Sequence, residues 1–303
     1  MTRGVVLHGT GGQWHVRRQD GTTVVAALQG RVKHEAGVKL AVGDDVVLRS
    51  EGNGGDWTIA EILPRRSRLA RRSPGRSPRE RVIAANIDQV VVVFALRRPE
   101  PHPAMLDRFL VIAEANQLAA RIVINKMDLA DQAEATALFG GYEDLGYPVH
   151  YTSSKSGTGM ADLGAALRGR TSALTGPSGA GKSSLLNALY PGLKLRVGEI
   201  SASVNKGRHT TVGAFLHPLP DGGYVVDTPG LREIGLWGVP AKGLDECFPE
   251  IRARKEECRF ADCTHLVEPK CGVRTALERG EIRATRFASY EKLLKEAVEA
   301  QPY

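Results

Sequence analysis

The stretch Gly176-Pro177-Ser178-Gly179-Ala180-Gly181-Lys182-Ser183 matches the pattern G-x-x-x-x-G-K-[ST], with an apolar strand before it and a helix after it. Glycine lets such a loop wrap closely around an anion, so that successive backbone N–H groups and the N-terminus of the following helix point at phosphate oxygens. Lys182 is predicted to reach the β- and γ-phosphates of a nucleotide, and the Ser183 hydroxyl to bind Mg²⁺. With Ser184 in the first turn of the helix, the stretch predicts a phosphate-binding loop.

A second apolar strand, residues 224–226, runs into Asp227-Thr228-Pro229-Gly230. An aspartate that ends a strand beside a phosphate-binding loop can hold Mg²⁺ directly or through water, and the Gly230 amide can face a γ-phosphate. The pattern D-x-x-G is common in turns, but its place 45 residues after Lys182, at a strand end, favours the nucleotide interpretation.

The stretch Asn125-Lys126-Met127-Asp128 ends another strand and predicts a guanine-binding loop, the guanine-type loop. The Asp128 carboxylate can accept hydrogen bonds from N1–H and the exocyclic amino group of guanine, whereas adenine would leave it unpaired. Asn125 is expected to tie neighbouring loops together, and Lys126 to lay its stem over the base. Ser153-Ser154-Lys155, after the next strand, is typical of the loop that offers backbone N–H groups to guanine O6.

Alternating strands and helices around these motifs predict a doubly wound parallel α/β domain over residues 82–240. Residues 88–96 form a continuous apolar strand of the kind that is buried on both faces. The further predicted strands are 121–125, 149–153, 172–175 and 224–226, and the predicted helices are 103–118, 131–145, 160–168 and 181–190.

Residues 1–63 contain five predicted short strands separated by turns, which favours a small β-barrel of the OB-fold type. Residues 64–81 hold eight arginines and one acidic residue among Ser, Pro and Gly, and are predicted to be a linker without a core.

Residues 1–81 carry 15 Lys and Arg against 8 Asp and Glu, whereas residues 82–303 carry 26 of each sign. This surplus suggests a polyanionic partner; the alternative is a solvated basic surface.

Residues 241–303 are predicted to be a helical domain with a metal site. Three cysteines and one histidine fall inside fourteen residues and form the candidate ligand set: Cys258, Cys263, His265 and Cys271. Three thiolates and an imidazole suit tetrahedral Zn²⁺ and leave no open position, so a structural zinc is predicted. Cys247 is interpreted as a core cysteine. The last helix, 284–300, is predicted to place five apolar residues on one face: Phe287, Tyr290, Leu293, Leu294 and Val298.

The longest uninterrupted apolar run, residues 90–96, is far shorter than the ~20 residues that a membrane helix needs. The first eight residues contain no extended apolar segment and no small-residue cleavage site. We therefore expect a soluble, cytoplasmic protein without a membrane segment.

The order of the motifs is unusual, because the guanine-type loop at Asn125 precedes the phosphate-binding loop at Lys182 by 57 residues. A sheet with its strands cyclically reordered keeps the same site, and this order resembles that of the circularly permuted GTPases. With the N-terminal barrel and the C-terminal Cys/His cluster, the chain resembles the bacterial ribosome small-subunit-dependent GTPase A family. The resemblance extends to Ala84-Ala85-Asn86-Ile87-Asp88 and Gly207-Arg208-His209-Thr210-Thr211.

The resemblance implies an enzyme that hydrolyses GTP to GDP and phosphate with Mg²⁺, carries one zinc ion and acts in late maturation of the small ribosomal subunit. It implies the small subunit and its rRNA as partners and stimulation by that subunit. We expect the protein to act as a monomer.

Leu231 stands where Ras-like enzymes carry the glutamine that orients the attacking water, so hydrolysis must be slow alone or use another group. In the predicted switch segment 194–211, Thr210 or Thr211 is expected to close onto Mg²⁺ and the γ-phosphate. His209 is the candidate for positioning the water, as the resemblance also implies. The alternative is that rRNA orders the segment and supplies the missing stabilisation.

Two other functions stay open from the sequence. A nucleotide-regulated RNA-binding protein with negligible hydrolysis is consistent with Leu231. An ATP-dependent P-loop enzyme, such as a small kinase, is disfavoured by Asn125 and Asp128.

Overall fold

A computed structural model of the chain describes residues 1–30, 39–51, 56–72, 80–195, 214–227 and 239–300. The first five strands are β1 (Thr2–Thr10), β2 (Gln13–Arg18), β3 (Thr23–Leu28), β4 (Asp45–Glu51) and β5 (Asp56–Ile62). They close into a barrel in the order β1-β2-β3-β5-β4, with β1 antiparallel to both β2 and β4. Val6, Val16 and Ile59 point into its core and are fully buried. The predicted OB-like barrel is confirmed.

Two further strands, β6 (Arg68–Arg72) and β7 (Glu80–Ala85), pair antiparallel within and beyond the region predicted as a linker. Leu69 is fully buried in the core that follows, and the Ala70 N–H donates to Asn116 Oδ1 at 3.0 Å. The expectation that residues 64–81 lack a core is therefore wrong for β6. One buried leucine anchors the strand among the arginines, because burying such a side chain contributes about 1.5–3 kcal/mol.

In the part of the chain that the structure describes, the central sheet has six strands: β8 (Gln89–Ala95), β9 (Ala119–Asn125), β10 (Val149–Tyr151), β11 (Thr171–Thr175), β12 (Phe215–Pro218) and β13 (Tyr224–Asp227). Their order is β10-β9-β8-β11-β13-β12, and all neighbours are parallel except β12, which runs antiparallel to β13 at the edge. The predicted α/β sheet is confirmed, with an antiparallel strand at one edge. The sequence predicts no strand at β12, since four residues ending in proline carry little strand signal.

Four helices in the described residues cover this sheet: α1 (Pro103–Ala115), α2 (Gln132–Glu143), α3 (Met160–Leu167) and α4 (Lys182–Leu189). Helices α1 and α2 pack on the face that carries Val92 and Phe94, whereas α3 and α4 pack on the face that carries Val91 and Val93. Successive residues of a strand point to opposite faces, so the continuous apolar run of β8 supplies both cores.

The barrel joins the sheet at the turn after β7. Asn86 has a positive φ of 55°, and its side-chain amide donates to the Gly43 carbonyl at 2.9 Å. The Ala85 N–H donates to the Val42 carbonyl at 2.8 Å, and a Cβ at Gly43 would overlap the Ala85 carbonyl oxygen. Leu7 of β1 and Val42 are buried in the core beneath α1 and α2. The barrel therefore packs against the central domain through Leu7 and Val42, while its interior forms a separate buried cluster.

The C-terminal region contains α5 (Pro249–Arg252), α6 (Gly272–Glu278) and α7 (Ala284–Glu299), with 3₁₀ turns at Asp245–Cys247 and Lys255–Glu257. Its core includes Val111 of α1, so this region packs directly on the central domain. Cys247 is buried in that core, as predicted. None of the helices in the described ranges is long and apolar enough to cross a membrane.

Helix α7 buries most of the predicted face, including Phe287, Leu293 and Leu294. The prediction is wrong for Val298, which is 56% exposed, whereas Ala297 is buried in its place. Ala297 follows Leu293 by four residues and Leu294 by three, so it continues the buried stripe of the helix.

Candidate nucleotide site and metal centre

The phosphate-type loop, residues 176–181, joins β11 to α4 at the carboxyl edge of the sheet. Gly176 and Gly181 have positive φ values of 128° and 95°. A Cβ at Gly176 would overlap the Val93 carbonyl oxygen, and one at Gly181 would overlap the Asn125 carboxamide. Both positions therefore require glycine, because the backbone of the loop lies directly against the neighbouring strand and loop.

The first residues of α4, Lys182 and Ser183, are buried. Lys182 Nζ donates to the carbonyl oxygens of Gly176 and Pro177, each at 2.8 Å. The ammonium thus lies within the loop, where it can pair with an anion that backbone N–H groups and the helix N-terminus also favour. Ser184 follows in the first turn and is half-buried.

Asn125, the last residue of β9, connects three loops. Its Nδ2 donates to the carbonyl of Ala180 in the phosphate-type loop at 3.0 Å, and its Oδ1 accepts the Ser154 N–H at 3.4 Å. Asn125 is 1% exposed, and its bond to Ala180 is buried, so this contact holds the two loops in a fixed relation.

Asp128 lies in a 3₁₀ turn, Met127–Leu129, directly after Lys126. Its Oδ1 accepts a hydrogen bond from Ser153 Oγ at 2.6 Å, and the Ser153 Oγ in turn accepts the N–H groups of Lys155 and Ser156 at 3.2 and 3.1 Å. Within the described residues, the other carboxylate oxygen has no hydrogen-bond partner. The exposed carboxylate is thus oriented by Ser153 and free to accept bonds from a ligand.

Arg98 also belongs to this edge, although the sequence singles out no residue there. The Lys126 side chain, on a residue with a φ of 65°, donates to the Arg98 carbonyl. Pro99 lies against the phosphate-type loop, 3.5 Å from where a Cβ of Gly179 would be. The available signal is topological: the segment follows β8, and the carboxyl ends of parallel strands line the crevice of such sheets.

Asp227 ends β13, and its backbone lies beside Leu174 of β11 in the parallel register. The structure therefore brings the backbone of this residue, the phosphate-type loop and the guanine-type loop to one edge of the sheet. The remaining predicted positions lie outside the described residues: His209, Thr210, Thr211, Gly230 and Leu231.

The predicted metal ligands converge on one point. The ligand atoms of Cys258, Cys263, His265 and Cys271 all lie within 4.8 Å of one another. Cys258 Sγ lies 3.7 Å from Cys271 Sγ and 3.5 Å from His265 Nδ1, and His265 Nδ1 lies 3.4 Å from Cys271 Sγ. A tetrahedral zinc with bonds of about 2.3 Å to sulfur and 2.0 Å to nitrogen requires separations of about 3.5–3.8 Å. The cluster is compatible with zinc.

Groups around the cluster orient it. His265 Nε2 lies 3.8 Å from Asp245 Oδ2, and Lys255 Nζ lies 2.6 Å from the same oxygen. The nearby His265 ring and the Lys255 ammonium hold the pKa of Asp245 at about 2. The Arg274 N–H at the start of α6 donates to Cys271 Sγ at 3.5 Å. A carboxylate behind a ligating histidine and an N–H facing a thiolate are typical of zinc sites.

Cys271→Ser is expected to remove most bound zinc and to destabilise the C-terminal region by several kcal/mol. Four-ligand sites stabilise small domains by roughly 10–16 kcal/mol, and one ligand carries a substantial share of that. Zinc content by atomic absorption and urea unfolding give the two measurements. Cys247→Ser is the matched control, because Cys247 is buried outside the cluster and its variant should retain zinc. A wild-type protein that purifies without zinc and gains no stability from it would contradict this expectation.

Comparison with known proteins agrees with this geometry. The RsgA GTPase family model matches residues 62–237. The chain is 56% identical to "Small ribosomal subunit biogenesis GTPase RsgA" of Gemmatimonas aurantiaca over 97% of both chains. It is 36% identical to the protein of the same name from Bacteroides fragilis over 99% of this chain and 98% of that protein.

Solved structures show the same architecture. YjeQ from Thermotoga maritima superposes with a TM-score of 0.79 at 35% identity, over 98% of both chains. YloQ, described as a circularly permuted GTPase, superposes with a TM-score of 0.78 at 32% identity, over 100% of this chain and 97% of its own. Family model, sequence identity and superposition agree over most of the chain, and the chain belongs to the RsgA GTPase family of circularly permuted GTPases.

Proposed function

We propose that this GTPase binds GTP and Mg²⁺ at the carboxyl edge of its sheet and hydrolyses GTP while docked on the small ribosomal subunit, in late maturation of that subunit. Its relatives are named small ribosomal subunit biogenesis GTPases. The proposal that GTP binds here is supported most directly by the Asn125–Ala180 hydrogen bond, because this bond joins a loop suited to guanine to a loop suited to phosphates.

Each residue of the nucleotide site is proposed to have a role that suits its chemistry. Backbone N–H groups of the loop 176–181 and the Lys182 ammonium bind the β- and γ-phosphates, and Asp128 selects guanine. Ser183 and Asp227 hold Mg²⁺, which neutralises charge on the phosphates. Gly230, Ser184 and either Thr210 or Thr211 complete these contacts. His209 positions the attacking water, since Leu231 has no group that can do so.

The chain is proposed to divide into a barrel, residues 1–63, a GTPase domain, residues 82–240, and a zinc-binding domain, residues 241–303, with the arginine-rich segment 64–81 between the first two. The buried clusters of the barrel and of the C-terminal region support this division. Zinc has a structural role, because four protein ligands leave no position for substrate.

The partner of the basic N-terminal quarter is proposed to be rRNA. Clustered arginines gain binding free energy from phosphodiester backbones through counterion release. We propose that the protein acts in the cytoplasm, in agreement with the ribosome-assembly names of the relatives, and that it acts as a monomer.

GTP turnover by the purified protein, with and without isolated small ribosomal subunits, tests this function. We expect slow turnover alone and at least about tenfold stimulation by the subunit, a barrier change of about 1.4 kcal/mol. If rRNA phosphates provide the docking contacts, the subunit concentration for half-maximal stimulation should rise steeply between about 50 and 200 mM salt. Tight GTP binding without turnover under both conditions would favour a binding switch and refute hydrolysis.

A further inference from the structure

Four aromatic rings form one column between the barrel and the central sheet. The His15 and His8 ring centroids are 4.0 Å apart with planes 19° apart, and His8 and Phe215 are 4.3 Å apart at 24°. Phe215 and His217 continue the column at 5.9 Å and 23°. The first two rings belong to β2 and β1 of the barrel, and the last two belong to β12.

The position of Phe215 links this column to the nucleotide site. In the antiparallel pair of β12 and β13, Phe215 stands directly opposite Asp227, the aspartate of the D-x-x-G motif. In the sequence, Phe215 follows the predicted switch segment 194–211 by only four residues. A movement of the barrel that displaces His8 therefore acts on Phe215, which lies between the predicted switch segment and the strand paired with Asp227.

The His8 and Phe215 rings are stacked face to face. Within the described residues, His8 Nδ1 is shielded from solvent and has no hydrogen-bond partner. Burial, with the neighbouring His15 and His217, lowers the pKa of His8, and burial lowers the pKa of His217. Both rings are therefore neutral near pH 7. The stacking geometry requires a flat ring at position 8.

Attachment of the barrel to the central domain does not depend on this column. Leu7 and Val42 are buried in the core of the central domain, and Asn86 and Ala85 hydrogen bond to the loop before β4. Loss of the His8 ring should therefore leave the barrel attached while it removes the contact with Phe215.

We propose that the His8–Phe215 contact transmits docking of the barrel on the small subunit to the nucleotide site, and that Phe215 is a positioning residue for subunit-stimulated GTP hydrolysis. This inference rests on the proposed function. The barrel then serves two purposes: it binds rRNA, and through its stacked histidines it sets the position of the strand paired with Asp227.

The test compares GTP turnover of full-length wild type, His8→Ala, His8→Phe and Phe215→Leu over a range of small-subunit concentrations. His8→Ala should keep the intrinsic turnover, the GTP affinity and the half-maximal subunit concentration, while its maximal stimulated turnover falls by about threefold to thirtyfold. His8→Phe restores a flat ring and should be stimulated like wild type. Phe215→Leu keeps apolar bulk without a ring and should lose stimulation, and combined with His8→Ala it should cause no further loss. Leu138→Ala, at an exposed position on α2, is the control for loss of a surface apolar group.

Three results would overturn the proposal. Full stimulation of His8→Ala would show that the contact transmits nothing. A raised half-maximal subunit concentration with an unchanged maximal rate would show that the column only helps the barrel to dock. A wild-type protein that the subunit does not stimulate would overturn the proposed function and this inference together, whereas the first two results overturn the inference alone.

Discussion

Asp128→Asn is expected to lower the affinity for GTP by about 100- to 1,000-fold and to raise the affinity for xanthosine triphosphate. The carboxylate offers two acceptors to the N1–H and amino group of guanine, and hydrogen bonds to a charged group contribute about 1.5–3 kcal/mol each. An asparagine presents an NH₂ donor to the guanine amino group, so one attractive contact becomes a repulsive one. Xanthine carries a carbonyl at that position and accepts from the same NH₂.

The geometry of the loop supports a specific effect. Ser153 Oγ donates to Asp128 Oδ1, and an asparagine side chain can keep that bond through its own carbonyl oxygen. The backbone of the loop is therefore expected to survive the change, while the recognition chemistry reverses.

Nucleotide affinities of the variant are measured by fluorescence titration or calorimetry with GTP, ATP and xanthosine triphosphate. Asp131→Asn is the matched control: Asp131 is three residues away and caps α2 by accepting the Ala133 N–H, which asparagine also does well. Unchanged preference for GTP in Asp128→Asn would refute the guanine-binding role of this loop.

Arg286→Met is expected to destabilise the packing of the C-terminal region on the central domain by about 3–5 kcal/mol. Arg286 Nη1 lies 2.6 Å from Asp107 Oδ1 of α1, and its Nε lies 2.6 Å from Glu250 Oε1 of α5. All three side chains are at most 6% exposed. The two carboxylates raise the pKa of the guanidinium above its already high value, although burial opposes this.

The loss of stability in Arg286→Met arises mainly from the two buried carboxylates that the variant leaves without a cationic partner. Without the arginine, Asp107 and Glu250 are buried carboxylates without a cation. Asp107 keeps the hydrogen bond that the Tyr142 hydroxyl donates to its Oδ1 at 2.7 Å. Replacing all three charged residues by apolar ones should therefore recover much of the stability that Arg286→Met loses.

Urea unfolding followed by circular dichroism measures this effect, and zinc content shows whether the metal site survives. Arg279→Met is the control, because Arg279 is 69% exposed and lies 4.0 Å from Glu281. Such a surface pair contributes about 0–1 kcal/mol. If both variants lose the same small amount of stability, the buried cluster does not hold the two regions together.

Much of the fold could be predicted because the decisive signals are local. The apolar run of β8, the alternation in the barrel strands and the loop glycines reflect spacing over a few residues, and the structure contains these elements close to their predicted bounds. The hairpin of β6 and β7 was missed because its stability depends on Leu69 reaching a core contributed by other segments. β12 was missed because its position at the sheet edge depends on pairing with β13.

The sequence by itself determined the chemical groups available to this protein: a loop suited to phosphates, a carboxylate suited to guanine, and four candidate metal ligands within fourteen residues. Tertiary structure decided how these groups cooperate. It joined Asn125 to Ala180 across 55 residues, Arg286 to Asp107 across 179 residues, and the His8 ring to Phe215 at the barrel interface. Contacts between residues so far apart leave no periodic pattern in a single sequence, because each depends on how whole elements pack against one another.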